Sequence, residues 1–173
     1  IGVDDLSLNT LAEVNIKKGE LPTVSADGNI GSVFYKGYQY SDLAINGVYN
    51  GNQNNVIGHV FTDTEDNKFD LRADIGFGDQ MKFDVQGTID KLFLSPIITV
   101  EKWKNPYLTA RINGKLQGKS IDDLVGNVVI DSTSLYDANF IYNPGPIYLQ
   151  ALSADGVGEK KIQVLSSIIE GEV

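Results

Sequence analysis

Alternation of apolar and polar residues with a period of two constrains this chain more than any other feature. Phe69, Leu71, Ala73, Ile75 and Phe77 interleave with Asp70, Arg72 and Asp74, and the pattern holds from Phe69 to Phe77. After a turn at Gly78-Asp79-Gln80, Met81, Phe83, Val85, Gly87 and Ile89 alternate with Lys82, Asp84, Gln86, Thr88 and Asp90. Successive side chains of a strand point to opposite sides of the pleat, so each run has one oily and one wet face. A motif recurs inside such runs: Ile45-Asn46-Gly47-Val48-Tyr49, Val85-Gln86-Gly87-Thr88-Ile89 and Ile112-Asn113-Gly114-Lys115-Leu116. Each is a β-branched aliphatic, an amide, a glycine, any residue, then an apolar residue. No segment sustains a helical period over ten or more residues, so the chain is expected to be all-β.

The remaining strands follow from the same pattern. Leu6, Leu8, Ala12, Val14 and Ile16 share one parity, and Lys17-Lys18-Gly19-Glu20 with Pro22 supplies the turn that ends them. Asp27-Gly28-Asn29 reads as the next turn, and Phe34, Tyr35, Tyr38 and Tyr40 lead into Leu43, Ile45, Gly47 and Tyr49. Asn50-Gly51-Asn52 is a hairpin signal. A strand over Val56 to Phe61 precedes the polar turn Asp63 to Lys68. Leu92 to Val100 is apolar without alternation and carries Pro96, which predicts a crossover or covering segment rather than a central strand. Alternation resumes with Leu108, Ala110, Ile112, Gly114 and Leu116. Ser120 to Leu124 reads as one serine-capped helical turn before a strand at Val128 to Ile130. Asn143-Pro144-Gly145-Pro146 is a turn between that strand and another through Ile147, Leu149 and Ala151, and a last strand carries Ile162 and Val164.

At 173 residues the chain suits one elongated unit over 1–173, divisible into sub-units 1–91 and 106–173 joined by an apolar crossover at 92–105. It has no cysteine, so disulfides, thiol nucleophiles and cysteine-held metals are excluded. A net charge of −9 argues against a nucleic-acid partner, because phosphate binding needs a dense basic surface. No window approaches the roughly 20 apolar residues of a membrane-spanning helix, and the first residues do not read as a signal peptide. The abrupt start and the strand-like close at Ile169 to Val173 lead us to expect a fragment of a larger protein.

Catalytic chemistry is not visible. His59, the single histidine, sits in a strand without a motif around it. Asp63, Glu65, Asn67 and Asp70 echo the start of a calcium loop, but Lys68 stands where that loop needs glycine, and a solvated hairpin tip is the better account. Asp70 with Asp74, and Asp84 with Asp90, stand opposite the oily parity and form a wet surface before a glycosidase pair. The pairs Gly76 with Gly78 and Gly156 with Gly158 open no helix and read as turns, not phosphate cradles. Lys102 to Lys119 holds five basic residues and no acid, with Trp103 and Tyr107 interleaved. The interleaving would suit a polyanion or lipid-headgroup site, but the spacing of Arg111, Lys115 and Lys119 is that of one solvated strand face. No catalytic residue, metal ligand or cofactor is expected.

The stretch from Tyr38 to Gly51, followed by a strand, an acidic turn and paired amphipathic strands, resembles the middle of TamB and AsmA-like envelope proteins, especially the Bacteroides-type versions. Leu116 to Ile130 and Ile162 to Gly171 are similar to the recurrent strand and turn units of that family. The resemblance implies a long, curved, antiparallel-rich sheet called a β-taco, an open groove or half-barrel whose concave face is apolar. It implies a periplasmic protein, anchored at the inner membrane by a helix outside this chain, that carries phospholipid acyl chains between membranes and is linked to an outer-membrane assembly protein. On that basis the groove lining would be Leu43, Ile45, Tyr49, Phe69, Leu71, Ile75, Phe77, Phe83, Val85, Ile89, Leu108, Ile112 and Leu116. Gly47, Gly87 and Gly114 on the same parity would leave width for a chain or let the sheet curl.

Without the resemblance, the oily face would read as the closed core of a β-sandwich. An extracellular carbohydrate-binding or adhesive β-domain is the alternative function, with Tyr35, Tyr38, Tyr40, Trp103 and Tyr107 as candidate contacts. A polysaccharide-acting β-helix enzyme would need clustered carboxylates with a basic partner in a cleft.

Overall fold

The computed structural model describes residues 3–35, 38–95, 103–120, 123–153, 160–166 and 170–172. They form β-strands joined by turns, and no α-helix occurs among the described residues. The strands are β1 (Val3–Asn15), β2 (Thr23–Tyr35), β3 (Tyr38–Asn50), β4 (Asn55–Asp63), β5 (Lys68–Phe77) and β6 (Met81–Phe93). They continue as β7 (Tyr107–Gly118), β8 (Val125–Asp137), β9 (Phe140–Tyr142), β10 (Ile147–Ser153), β11 (Lys160–Ser166) and β12 (Glu170–Glu172). All belong to one antiparallel sheet in the order β1-β2-β3-β4-β5-β6-β7-β8-β10-β11-β12, with β9 paired to β8 beside that path. The sheet does not close, since β1 and β12 stand at opposite ends of the order. Nearly every strand pairs with the next in sequence because short polar turns such as Gly78-Asp79-Gln80 separate them.

Register makes the alternation continuous from strand to strand. Ala12 pairs with Ala26, Ala26 with Gly47, Gly47 with Gly58, Gly58 with Ala73, Ala73 with Val85, and Val85 with Gly114. Partners across an antiparallel ladder project to the same side, so one side of the sheet is apolar along its whole order. That side is not covered. Accessible surface totals 11482 Å² for 18.9 kDa, whereas the usual mass scaling for a compact monomer gives about 8,300 Å². The closed β-sandwich core expected from periodicity alone is therefore absent among the described residues, and most apolar-face side chains are half-buried by their own neighbours.

Two bulges and one left-handed residue lie along one line across the sheet: β6 shifts register between Ile89 and Leu92, Ser132 in β8 has φ 51° beside the shift between Thr109 and Arg111, and Asp42 in β3 has φ 56°. A bulge bends its strand and increases its twist, so this line curves the sheet. The fully buried groups cluster beside it. Leu94 and Ala110 are the buried aliphatics among the described residues, with Thr62, Asn67 and Pro106 also buried. Asn67 Oδ1 accepts the Phe93 N–H at 3.1 Å, and Leu94 N–H donates to the Pro106 carbonyl at 2.8 Å.

Several local expectations are corrected. Asp27-Gly28-Asn29 is not a turn but the middle of β2, paired with β1 on one side and β3 on the other. Local turn propensity loses to two complete ladders, and Gly28 is used for close approach: a Cβ there would lie 2.9 Å from Thr10 Oγ1. The first residues of the expected crossover are strand: Leu92 and Phe93 continue β6 and pair with Leu108 and Tyr107 of β7, so β6 and β7 are adjacent antiparallel strands of the one sheet. Alternation vanishes there because the bulge at Asp90 and Lys91 shifts parity by one, which returns Leu92 to the apolar face. Pro96 and residues 97–102 lie outside the described residues, as do Gly156 and Gly158. The strand expected at Val128 to Ile130 extends over the whole of β8. At Ser120 a single turn forms, with Asp123 N–H donating to the Ser120 carbonyl at 3.1 Å and Ser120 Oγ donating to Asp123 Oδ2 at 3.0 Å. Residues 121 and 122 lie outside the described residues.

Candidate functional site

The apolar side of the sheet is organised in lanes that run across the strands. One lane joins Val24, Tyr49, Val56, Ile75, Phe83 and Leu116. A second joins Ile45, Val60, Leu71, Gly87, Ile112 and Ile130. Between them lies the lane of Ala12, Ala26, Gly47, Gly58 and Ala73, in which no side chain exceeds a methyl group. The two flanking lanes stand four residues apart along each strand, about 13 Å at 3.3 Å per residue. The result is a shallow apolar slot along the long direction of the sheet, banked on both sides over β3 to β5, about 10 Å at a strand spacing of 4.8 Å, while over β2 and β1 the second bank is replaced by Gly28 and Thr10.

The glycines of the apolar side are not equivalent. A Cβ built on Gly58 meets nothing within 4 Å, and one on Gly47 meets only the Ile57 carbonyl at 3.6 Å. These two hold the slot open. Gly87 is different: a Cβ there would lie 2.3 Å from the Asp70 carbonyl oxygen and 2.6 Å from Leu71 Cδ2. Leu71 covers that position, so Gly87 permits close approach and provides no width. Gly114 is intermediate, with Val128 Cγ2 3.0 Å from its Cβ position. The slot is therefore open over β3 and β4 and narrows at Val85 and beyond.

Register places Leu43, Ile45, Tyr49, Phe69, Leu71, Ile75, Phe77, Phe83, Val85, Ile89, Leu108, Ile112 and Leu116 on this one side. Tyr49, Ile75, Phe83 and Leu116 form one bank of the slot and its continuation, while Ile45, Leu71 and Ile112 form the other. Phe69 and Ile89 sit further out, beside the line of bulges, and Leu108 lies beyond that line. Sequence reasoning missed Val56 and Val60 of β4 and Ile130 of β8 as members of these lanes. It also missed Ala26 and Gly58, and gave Ala73 its parity but no place in a floor, because a small residue gives no signal until register aligns it with others.

The opposite side is wet. Lys115 Nζ lies 3.3 Å from Asp84, Asn55 Nδ2 donates to Asp74 at 2.9 Å, and Arg72 Nε donates to Asp70 at 3.3 Å. His59 stacks on Phe61 with ring centroids 4.7 Å apart, and its Nδ1 is 3.1 Å from Asn46 Oδ1. Its Nε2 lies 2.9 Å from Asp70 Oδ1, off the direction of a hydrogen bond. A hollow of about 690 Å³ on this side is lined by Asn55, Asp74, Lys82, Asp84, Lys115 and Gln117 among others. Arg111 pairs in register with Thr88 and Asp131, so the basic run of β7 meets acids on its neighbours instead of forming a positive patch.

The acidic turn between β4 and β5 is closed by its own side chains. Thr64 Oγ1 lies 3.0 Å from both the carbonyl and the N–H of Asn67, and Lys68 Nζ reaches Asp63 at 3.0 Å. Among the described residues no three His, Asp or Glu side chains gather as metal ligands, and no helix is long and apolar enough to cross a membrane. Comparison with protein-family models, with curated proteins and with solved structures returns no match. The candidate site therefore rests on geometry alone.

The aromatics considered for a carbohydrate platform are dispersed. Tyr40 lies on β3, whereas Tyr107 stacks on Tyr136 across β7 and β8 with centroids 4.6 Å apart. Trp103 meets Phe140 edge-on at 5.8 Å. The side chains of Tyr35 and Tyr38 lie outside the described residues.

Proposed function

We propose that this chain is a segment of a periplasmic, inner-membrane-anchored envelope protein of TamB or AsmA-like character, whose uncovered apolar face shields lipid acyl chains as phospholipid moves between membranes. The observation that carries this is the slot floored by Ala26, Gly47, Gly58 and Ala73, which crosses the strands and so follows the axis along which cargo would travel. Each methylene removed from water contributes about 0.8 kcal/mol. A chain lying in the slot gains that in small, repeated steps, so it is retained without being trapped at one place. No bond is made or broken in such transport, and the role is non-enzymatic. A link to an outer-membrane assembly protein would be made by the parent protein.

Photocrosslinking in the parent protein tests this. Probes at Leu71, Ile75, Phe83 and Ile112 are expected to give lipid adducts, while Asp84 and Lys115 on the wet side give none. Adducts to protein alone at the first group would mean that a partner covers the face as a closed core, and would overturn the proposal.

A further inference from the structure

Among the described strands β1 pairs with β2 alone, so the backbone N–H and C=O groups of alternate β1 residues face outward without a ladder. One side chain on this edge is out of place. Leu11 stands in register with Asp27 and therefore lies on the wet side, yet it is aliphatic and 76% exposed. Val14, in register with Val24 on the apolar side, is 59% exposed. An open row of backbone groups fits only another strand, and the aliphatics on both sides of the edge ask for that strand to cover them.

The sequence of the edge is complementary to itself. Laid antiparallel on a second copy with Leu11 opposite Leu11, the strand sets Asn9 against Glu13 and Leu8 against Val14, and the same register brings Asp5 opposite Lys17. Amide thus meets carboxylate, aliphatic meets aliphatic, and acid meets lysine, with every pair occurring twice by symmetry. Neighbouring registers lose this match. Centring on Asn9 sets Asp5 against Glu13, a like-charge pair, and centring on Thr10 sets Leu11 against Asn9. The other end of the sheet is a poor partner, since β12 is 3 residues long against 13 in β1 and carries Glu170 and Glu172. We infer that two copies of this chain associate through β1, antiparallel and centred on Leu11, into one continuous sheet. The twofold axis stands perpendicular to the sheet, so the apolar sides of both copies share one face and the interface closes at two. This edge lies apart from the slot and does not depend on what fills it.

The chain has no cysteine, so single substitutions report the register. Sedimentation velocity over a concentration series is expected to show a monomer–dimer equilibrium. Leu11→Cys, oxidised with diamide, should give a covalent dimer, because opposed residues of an antiparallel ladder stand within disulfide reach. Asn9→Cys alone should not, since its copy stands four residues away, about 13 Å along the strand. A mixture of Asn9→Cys and Glu13→Cys chains should cross-link. Lys17→Asp should weaken association about tenfold, and adding Asp5→Lys should restore it. Leu11 and Lys17 are exposed, so variants there keep the thermal unfolding of the parent chain. A monomer at every concentration, or Asn9→Cys cross-linking as readily as Leu11→Cys, would overturn the inference. Species that keep growing beyond the dimer would also overturn it, in favour of β1 meeting β12 of the next copy.

Discussion

Gly58 of β4 faces Gly47 of β3 across the ladder, and nothing stands within 4 Å of the place where a Gly58 side chain would begin. Ala26 and Ala73 flank this pair on β2 and β5, so the absence of four larger side chains in register makes one continuous depression. A strand pays for interior glycine with entropy and lost packing. Two such glycines opposite each other on an otherwise aliphatic side are accounted for by the space they leave.

Filling that space should remove the site without harming the sheet. Gly58→Leu is expected to weaken binding of a fluorescent long-chain fatty acid about tenfold or more, since the loss of two or three methylene contacts corresponds to about 2 kcal/mol. Thermal unfolding should stay at or above that of the parent chain. Unchanged fatty-acid affinity in folded Gly58→Leu would remove the slot as a binding site.

Gly87 supplies the converse. Gly87→Ala is expected to lower stability by about 1–3 kcal/mol, because the new methyl overlaps Leu71 and the Asp70 carbonyl and forces the β5–β6 ladder apart. Gly58→Ala should not destabilise. Denaturant midpoints of the two variants, measured side by side, check the distinction between a glycine that gives room and one that permits contact.

Charge placed on a bank of the slot should stop transport in the parent protein. Ile75→Asp or Phe83→Asp is expected to abolish lipid transfer, while Asp84→Ala on the opposite side leaves it intact. Normal transfer from a stably folded Ile75→Asp parent would falsify the groove assignment.

The corner beyond the slot is held by Asn67. Asn67→Ala removes the part-buried bond in which Asn67 Oδ1 accepts the Phe93 N–H, at a cost of about 0.5–1.5 kcal/mol. Hydrogen exchange at the Phe93 amide should accelerate together with the fall in melting temperature. Unaltered protection would show that the bond contributes nothing.

The outer edge of β1 should make the isolated chain self-associate. β1 carries no lysine or proline along its length, and Leu11 is 76% exposed. Leu11→Lys is expected to shift sedimentation towards the monomer.

Period-two alternation was enough to determine an all-β chain, its main strands, and which aliphatics share a side, because a strand's pleat assigns parity with no reference to neighbours. It misassigned Asp27-Gly28-Asn29, where local turn chemistry yields to ladders on both sides, and Leu92-Phe93, where a bulge shifts parity. Only the tertiary structure decided which residues lie beside one another across strands. Lanes depend on register, and register is set jointly by turn lengths and bulges over the whole sheet. That is why Gly47, Gly87 and Gly114, alike in sequence, differ in fact: one opens a slot with Gly58, one is covered by Leu71, and one is narrowed by Val128.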